Sequence, residues 1–205
     1  MKKFFITMLA LIPLSLWAQD NTWERIEKEE EETQEAKVNP DEKYLKGAVP
    51  EIDGKVVFKK TIEAPGKSAG EIYDILEKYM KKMIIQENQI NSQIVIADKA
   101  RGELAVRVEE WLVFKSVALY LDRTRFYFVL QAVCQDGKVD VSICRIHYLY
   151  DEHRKPQRLL AEEWITDKEA VNKKNTRLLP VSGKFRRKTI DRKDFLFNKF
   201  ETLLK

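Results

Sequence analysis

The sequence predicts an α+β fold, with a single curved antiparallel sheet and helices packed on one of its faces. Three patterns support this prediction. Two long runs rich in aromatic and β-branched residues flank the dipeptide Asp136-Gly137, which predicts a hairpin over residues 125–150. Residues 93–97 and 103–114 form a second pair of strand-like runs. Two amphipathic helical stripes, one before and one after these strands, can cover one face of the sheet.

Residues 1–18 have the pattern of a secretory signal peptide. Lys2 and Lys3 precede an apolar stretch over residues 4–16, and Trp17-Ala18-Gln19 is the expected cleavage site. The stretch is shorter than the roughly 20 residues that span a bilayer, and no Cys follows the cut to carry a lipid. We therefore expect a protein that is periplasmic or secreted, without stable membrane insertion.

Residues 19–48 are predicted to form an acidic, disordered linker. They contain five basic and ten acidic side chains, a net charge of −5, whereas residues 49–205 contain 30 and 23, a net charge of +7. The linker has too few apolar residues to bury. Two alternatives stay open, a transient helix over residues 23–36 and an arm that docks through Trp23 and Ile26. The composition favours a solvated tether that adds no stability.

The globular part, residues 49–205, opens with a strand and a helix. The strand covers residues 56–62, after an Asp53-Gly54 turn. Ser68 and Glu71 form a capping box, and the helix that follows fades at residues 88–91. Its apolar stripe indicates a core face rather than a cofactor site. The stripe consists of Ile72, Ile75, Leu76, Tyr79, Met80 and Met83.

The central hairpin sets the register of the predicted sheet. Asp136-Gly137 favours a two-residue type I′ turn, so Gln135 faces Lys138. A side-chain period of two then separates a core face from a mixed face. The core face holds Phe126, Phe128, Leu130, Ala132, Val139, Val141 and Ile143. The mixed face holds Tyr127, Val129, Gln131, Asp140, Ser142 and Cys144.

The same register predicts two free thiols. It places Cys134 on the core face and Cys144 on the mixed face, about 17 Å apart along the strands. A disulfide requires Cα atoms within about 7 Å of each other. The pairing that an exported chain with two Cys would suggest is therefore excluded.

Two phase changes in the strands predict β-bulges. Apolar residues occupy even positions from residue 104 until Glu109-Glu110 interrupts them, and a second change occurs at Cys144-Arg145. Bulges in long strands indicate a strongly curved sheet.

The C-terminal third has weaker patterns. Residues 162–174 suggest a strand end and a short helix, and residues 180–188 suggest a loop. Asp191 and Asp194 are then predicted to cap a last helix. Its stripe is Leu196, Phe200, Leu203 and Leu204. The predicted order is β-α-β-β-β-β-α, with an irregular segment before the last helix.

No catalytic, cofactor-binding or metal-binding residue is predicted. The two His residues, His147 in a strand and His153 in the following turn, have no Cys or carboxylate at a zinc-ligand spacing. The pairs Glu109-Glu110 and Glu162-Glu163 would point to opposite faces of a strand. The basic run at residues 184–188 is predicted to be a solvated loop with its Phe packed down, rather than an anion-binding patch.

Three separated segments resemble the DUF4468 family of exported Bacteroidetes proteins. They are VPEIDGKVVFKKTIEAP from residue 49, AEEWITDKEAVNK from residue 161 and GKFRRKTIDRKDFLFNKF from residue 183. The resemblance covers residues 49–205 and implies a TBP-like fold, in which helices grip a curved antiparallel sheet. It implies no activity and no cofactor, and DNA binding does not follow from the fold.

We therefore expect an exported, non-enzymatic interaction or ligand-holding module of the cell envelope. Its mixed sheet face around Tyr127 and Val129 would bind an envelope protein or a small ligand, and no nucleic acid. One alternative is a carrier of small apolar ligands, with a closed cavity above about 300 Å³ between sheet and helix. The other is a hydrolase of unrecognised type, for which no nucleophile–base pair can be named. The sequence gives no oligomeric state.

Overall fold

The computed structural model of the chain describes Trp23 and residues 39–205. The predicted signal peptide and most of the predicted linker lie outside the described residues. Within the described part, no helix is both long and apolar enough to cross a membrane.

The described elements follow one another from a short 3₁₀ helix to a long C-terminal α-helix. The 3₁₀ helix is Glu42–Tyr44; the strands are β1 Glu51–Ile52, β2 Lys55–Val56, β3 Phe58–Glu63, β4 Gln93–Asp98, β5 Glu103–Val117, β6 Tyr120–Gln135, β7 Lys138–Tyr150 and β8 Gln157–Leu160; the helices are α1 Ala69–Met83, α2 Ala161–Trp164, α3 Asp167–Ala170 and α4 Ser182–Leu204.

Six strands form one antiparallel sheet in the order β3-β7-β6-β5-β4, with β8 on the same edge of β7 as β3. Strands β1 and β2 form a separate small hairpin. Helices α1 and α4 bury their apolar stripes against one face of the large sheet. The predicted fold class is therefore confirmed, with β8 and the β1–β2 hairpin added to the predicted order.

The predicted register of the central hairpin is confirmed. Gln135 pairs with Lys138 and Leu130 with Ile143, and the predicted bulge lies beside Cys144, where Arg145 has a φ of +55°. The predicted type I′ turn is wrong, because Gly137 has a positive φ and Asp136 does not. In this conformation the Asp136 carboxylate accepts a hydrogen bond from the Ala69 amide at the start of α1, at 2.8 Å.

The bulge predicted at Glu109-Glu110 is wrong. Pairing of β5 with β6 is continuous there, and the register shift lies between Val113 and Lys115. Glu110 instead keeps the inward phase of its strand and is fully buried. Its carboxylate accepts two hydrogen bonds from Arg192 of α4, each 2.8 Å long. A buried ion pair, rather than a change of phase, explains the charged residue in the apolar alternation.

Helix boundaries also differ from the predictions. The capping box of Ser68 and Glu71 is present, but α1 ends at Met83, before the predicted fade. Helix α4 begins at Ser182, so the loop predicted at residues 180–188 and the cap predicted at Asp191 are both wrong. Residues 161–170, around the predicted strand end, form the short helices α2 and α3.

The basic run inside α4 is partly buried. Phe185 is fully buried among aromatic rings of neighbouring elements, as predicted. Arg186, also fully buried, donates hydrogen bonds to the carbonyl oxygens of Tyr44 and Leu45 at 2.6 Å and to that of Ile165 at 2.8 Å. The basic run is therefore part of a helix and is anchored to other segments through Arg186, rather than forming a solvated loop.

Residues 39–48, predicted to belong to a disordered linker, are ordered against α4. Tyr44 is buried and donates a hydrogen bond to the Asp191 carboxylate at 2.7 Å, and Asp41 forms an ion pair with Arg187. The prediction of a solvated linker is wrong for these ten residues, because their acidic and aromatic side chains meet the basic run of α4. Trp23 is also buried, 5.9 Å from the ring of Phe195, which matches the docking alternative at that residue.

Candidate functional site

The sheet surface opposite α1 and α4 is the candidate site, and we call it the open face. Alternation along β5, β6 and β7 places one side chain in two on this surface. Tyr127 and Val129, which the sequence proposed as a binding surface, lie on it and are half-buried. The open face includes Lys59, Thr61, Ile96, Ala105, Trp111, Arg125, Tyr127, Val129, Gln131, Val133, Ser142, Cys144 and His147.

A groove of about 680 Å³ opens on this face near the β6–β7 turn. Its floor is mixed. Gln131 and Ser142 lie on the central strands β6 and β7, and the small side chain of Ala105 lies between Gln131 and Ile96 of the edge strand β4. Polar and charged groups form its border, and Thr61 donates a hydrogen bond to Asp140 across β3 and β7 at 2.5 Å. An open groove that offers both apolar side chains and hydrogen-bonding groups can hold a flat or extended ligand.

A cluster of aromatic and charged side chains occupies the centre of the open face. Tyr127 stacks on His147 with ring centroids 4.5 Å apart and donates a hydrogen bond to Glu109 at 3.1 Å. Arg125 donates to the same carboxylate at 3.1 Å and forms an ion pair with Glu152 at 2.5 Å. Glu109 thus links Arg125 and Tyr127 in one polar network at the centre of the open face.

Burial shifts the pKa values of two members of the cluster. Burial lowers the pKa of His147 below its ordinary value, which favours the neutral imidazole. Burial also raises the pKa of Tyr127, with the Glu109 carboxylate acting in the same direction. His147 is the predicted sheet-face histidine, and His153 is the predicted solvent-exposed one.

Both cysteines are free, and they lie on opposite faces as predicted. Cys134 is buried under α1, and burial raises its pKa to about 11. Cys144 is half-buried on the open face, with its Sγ atom 3.9 Å from the Gln131 side-chain oxygen.

The acidic pairs that the sequence analysis considered are separated. Glu109 and Glu110 lie on opposite faces of β5, the first bound to Arg125 and the second to Arg192. Glu162 and Glu163 belong to α2 rather than to a strand, and Glu162 accepts a hydrogen bond from the Val56 amide at 3.1 Å. In the described part of the chain, no group of three His, Cys, Asp or Glu side chains could hold a metal ion.

The space between the sheet and the helices is filled by side chains. Residues of α1 that face the sheet are completely buried, and Phe200 of α4 packs among them. These α1 residues are Ile72, Leu76, Met80 and Met83. The groove thus lies on the opposite side of the sheet from the cavity that a carrier of apolar ligands was expected to have.

The groove residues Ile96 and Ala105 were missed by the sequence analysis. The sequence holds only a weak signal for this groove: Ala105 is a small residue at an outward-facing position of β5, and the neighbouring edge strand β4 is apolar. The exposed apolar tip of the β5–β6 hairpin was missed as well, because its residues match those of an ordinary strand.

Comparisons with known proteins agree with this architecture. The family model described as a domain of unknown function (DUF4468) with TBP-like fold matches residues 58–149. The crystal structure of a DUF4468 family protein from Bacteroides ovatus has a TM-score of 0.75 and 42% identity, covering 82% of this chain and 96% of that one. A TBP-like protein from Parabacteroides distasonis, at 20% identity, has a TM-score of 0.61 over 76% of this chain and 96% of that one, which supports the fold alone.

A search of the curated proteins gives no match. The identity to the Bacteroides ovatus protein, over most of both chains, is sufficient to assign the family. This chain belongs to the DUF4468 family and has its TBP-like fold.

Proposed function

We propose that this chain is a non-enzymatic binding module of the bacterial cell envelope, which holds its partner in the groove of the open face. The observation that carries the proposal is the asymmetry of the sheet. Helices α1 and α4 cover one face, while the other face presents a groove of about 680 Å³. That volume lies within the range of about 300–1,000 Å³ typical of ligand sites.

The composition of the groove supports a protein segment as the partner. Val133 on β6 and Ile96 on the edge strand β4 are 41% and 39% exposed, so both offer apolar contact area in the groove. Lys59 and Asp140, on the border, are exposed and of opposite charge. Exposed apolar side chains together with polar and charged groups are the composition found at non-obligate protein–protein interfaces.

A non-enzymatic role is supported by the state of the polar groups beside the groove. The Glu109 carboxylate is engaged by both Arg125 and Tyr127, and burial keeps His147 neutral. Burial also raises the pKa of the Cys144 thiol, which reduces its nucleophilic form.

Export is supported by the signal-peptide pattern of residues 1–18 and by relatives from Bacteroides and Parabacteroides. Intact-mass analysis of envelope fractions tests it. We expect a chain that begins near Gln19 and carries no lipid. Retention of Met1 or a diacylglyceryl adduct would contradict this part of the proposal.

Site-specific photocrosslinking in cells tests the groove. A photoreactive residue at Val133 should give a discrete adduct, whereas the same residue at Lys78, exposed on the solvent side of α1, should not. Ile96→Arg, which places a long charged side chain at an exposed position of the groove, should abolish the adduct while the circular dichroism spectrum stays unchanged. Equal adducts at both positions, or an adduct that survives Ile96→Arg, would argue against groove binding.

A further inference from the structure

The tip of the β5–β6 hairpin is the most exposed apolar feature among the described residues. Leu119 is completely exposed, and Val117, Tyr120 and Leu121 are each between 42% and 55% exposed. These apolar side chains form one contiguous group, because Val117 pairs with Tyr120 across the turn. Isolated apolar side chains on a surface are normal, but a contiguous group at a protruding tip indicates an interaction site.

The tip extends beyond the rest of the sheet. Strand β4 pairs with β5 only as far as Arg107, and β7 pairs with β6 only as far as Thr124. The five residues of β5 that follow Leu112 therefore form a two-stranded ribbon with β6, about 17 Å long. Lys184 fixes the base of this ribbon, because it forms an ion pair with Asp122 at 2.7 Å and a hydrogen bond to Tyr150 at 3.0 Å.

The backbone at the tip has a left-handed conformation at Leu119, the second residue of a two-residue turn. Leu119 has a φ of +65°, a region that Gly and Asn adopt far more readily than Leu. The residue combines an unfavourable backbone conformation with full exposure of an apolar side chain to water. The turn accounts for the positive φ, as it does at Gly137 in the β6–β7 turn, but it does not require an apolar side chain at that position.

Basic side chains surround the apolar tip. Lys115 lies over the ring of Tyr120 at 6.0 Å, and Arg154 and Leu119 both line a pocket of about 430 Å³. Lys155, next to Arg154, is also exposed. Of the acidic groups near the tip, Asp122 is paired with Lys184 and Glu152 with Arg125, and only Asp151 adds negative charge beyond them.

We propose that this tip inserts into the surface of an anionic lipid bilayer. The pair Ser116–Leu121 lies one step beyond Lys115–Asp122, so the apolar end extends about 7 Å past the basic groups. Interfacial segments bury their apolar side by a similar depth, about 5–10 Å. Lys115 and Arg154 then meet the headgroups, and Tyr120 lies at the level that Tyr side chains favour in membranes.

A lipid surface fits this tip better than a protein does. The exposed apolar side chains lie at the end of a two-stranded ribbon with Lys115 beside them, and a fluid bilayer adapts to such an end without a preformed pocket. The tip and the groove lie at opposite ends of β6. A molecule bound through its tip would therefore keep the groove directed away from the bilayer and accessible to a partner.

Vesicle flotation of the mature chain tests the proposal, with vesicles of phosphatidylcholine alone or mixed with phosphatidylglycerol. The chain should float with the mixed vesicles and not with phosphatidylcholine alone, and added salt should weaken the binding. Leu119→Asn removes the apolar side chain and suits the backbone conformation, so the variant folds, and its vesicle affinity should fall roughly tenfold or more. Lys115→Gln with Arg154→Gln should reduce the affinity about fivefold for each charge removed.

Ile85→Asn is the matched control, because Ile85 is an apolar side chain that is 80% exposed in the loop after α1, outside the tip. This variant should bind vesicles as the unmodified chain does. Failure to float with mixed vesicles, equal flotation with both vesicle types, or undiminished binding of Leu119→Asn would overturn the proposal. A concentration-dependent dimer that Leu119→Asn abolishes would also overturn it, since the tip would then bind a second copy of the chain.

Discussion

Replacing Arg192 by Leu should destabilise the domain by about 3–5 kcal/mol, because it leaves the Glu110 carboxylate buried without a charged partner. Arg192 is 1% exposed and Glu110 is fully buried, so water cannot reach either group. Without Arg192, only the amide groups of Asn88 and Gln89 remain as donors to Glu110, at 3.4 and 2.5 Å. Neutral donors reduce the penalty of a buried charge but do not remove it.

A double variant, with Leu at both Glu110 and Arg192, distinguishes the effect of an unpaired buried charge from the effect of lost packing. Leu at both Glu110 and Arg192 removes the pair together, so its loss of stability should be smaller than that of Arg192→Leu alone. At about 2–4 °C per kcal/mol, the single variant should melt roughly 6–20 °C lower than the unmodified chain. Urea unfolding with an unchanged m-value would assign the effect to stability of the folded state.

A surface ion pair is the control for this experiment. Lys99 and Asp74 are 2.6 Å apart, and more than half of each side chain is exposed. Lys99→Leu should therefore change the free energy of unfolding by less than about 1 kcal/mol. If Arg192→Leu has an equally small effect, or if the double variant is no more stable than Arg192→Leu alone, then the unpaired buried carboxylate of Glu110 is not the cause of the destabilisation.

Three further predictions follow from the fold. A chain that begins at Val49 should melt several degrees below one that begins at Asn39, because it lacks the Tyr44 anchor on α4; equal melting temperatures would show that residues 39–48 add no stability. Gly102→Ala should cost more in urea unfolding than the roughly 1–2 kcal/mol expected for Gly137→Ala, because a Cβ at Gly102 would lie 2.5 Å from the Cys134 carbonyl oxygen, whereas Gly137 has open space and only its φ of +76° to accommodate. Burial raises the pKa of the Cys134 thiol to about 11, so the stability that the buried neutral thiol contributes is fully present below about pH 9, where the unfolded thiol begins to ionise, and is lost as the pH rises toward 11. The urea midpoint of Cys134→Ala should therefore fall less between pH 9 and 11 than that of the unmodified chain. Equal falls of the two urea midpoints over that range would contradict the prediction.

The central hairpin shows what the sequence can predict. Its register depends on a turn dipeptide and on a side-chain period of two, and both are local properties of the chain. The faces of Tyr127, Cys134 and Cys144 therefore follow without knowledge of the rest of the fold. The turn conformation at Asp136 does not, because a hydrogen bond to the distant Ala69 amide determines it.

The charged residues of the core show where prediction from sequence fails. Glu110 interrupts an apolar alternation, and its partner Arg192 is 82 positions away. Arg186 belongs to a run of basic residues, and two of the carbonyl groups that bind it, those of Tyr44 and Leu45, are more than 140 positions away. Charge favours exposure when only neighbours along the chain are considered. Both residues were consequently assigned to bulges or loops, although they stabilise the joint between α4, the sheet and the N-terminal segment.

The candidate site was predictable only in outline. Alternation alone places Tyr127 and Val129 on the open face. The groove depends in addition on which strands are neighbours and on the register shift in β4, which brings Ile96 opposite Ala105. The exposure of Leu119 depends on how far β5 and β6 extend beyond their neighbours, a property of the whole sheet.

The two faces of the sheet use their polar groups differently, and this difference separates stability from binding. On the covered side, Arg186 and Asp191 are engaged in holding residues 39–48 against α4. Replacing them removes partners of buried groups, so we expect unfolding together with any loss of function. Lys59 on the groove border and Leu119 at the tip are exposed, and the fold does not depend on their side chains. Variants that lose binding while keeping their unfolding midpoint should therefore map to the groove and the tip, and a binding-defective, stable variant inside α4 would place the functional surface on the covered side instead.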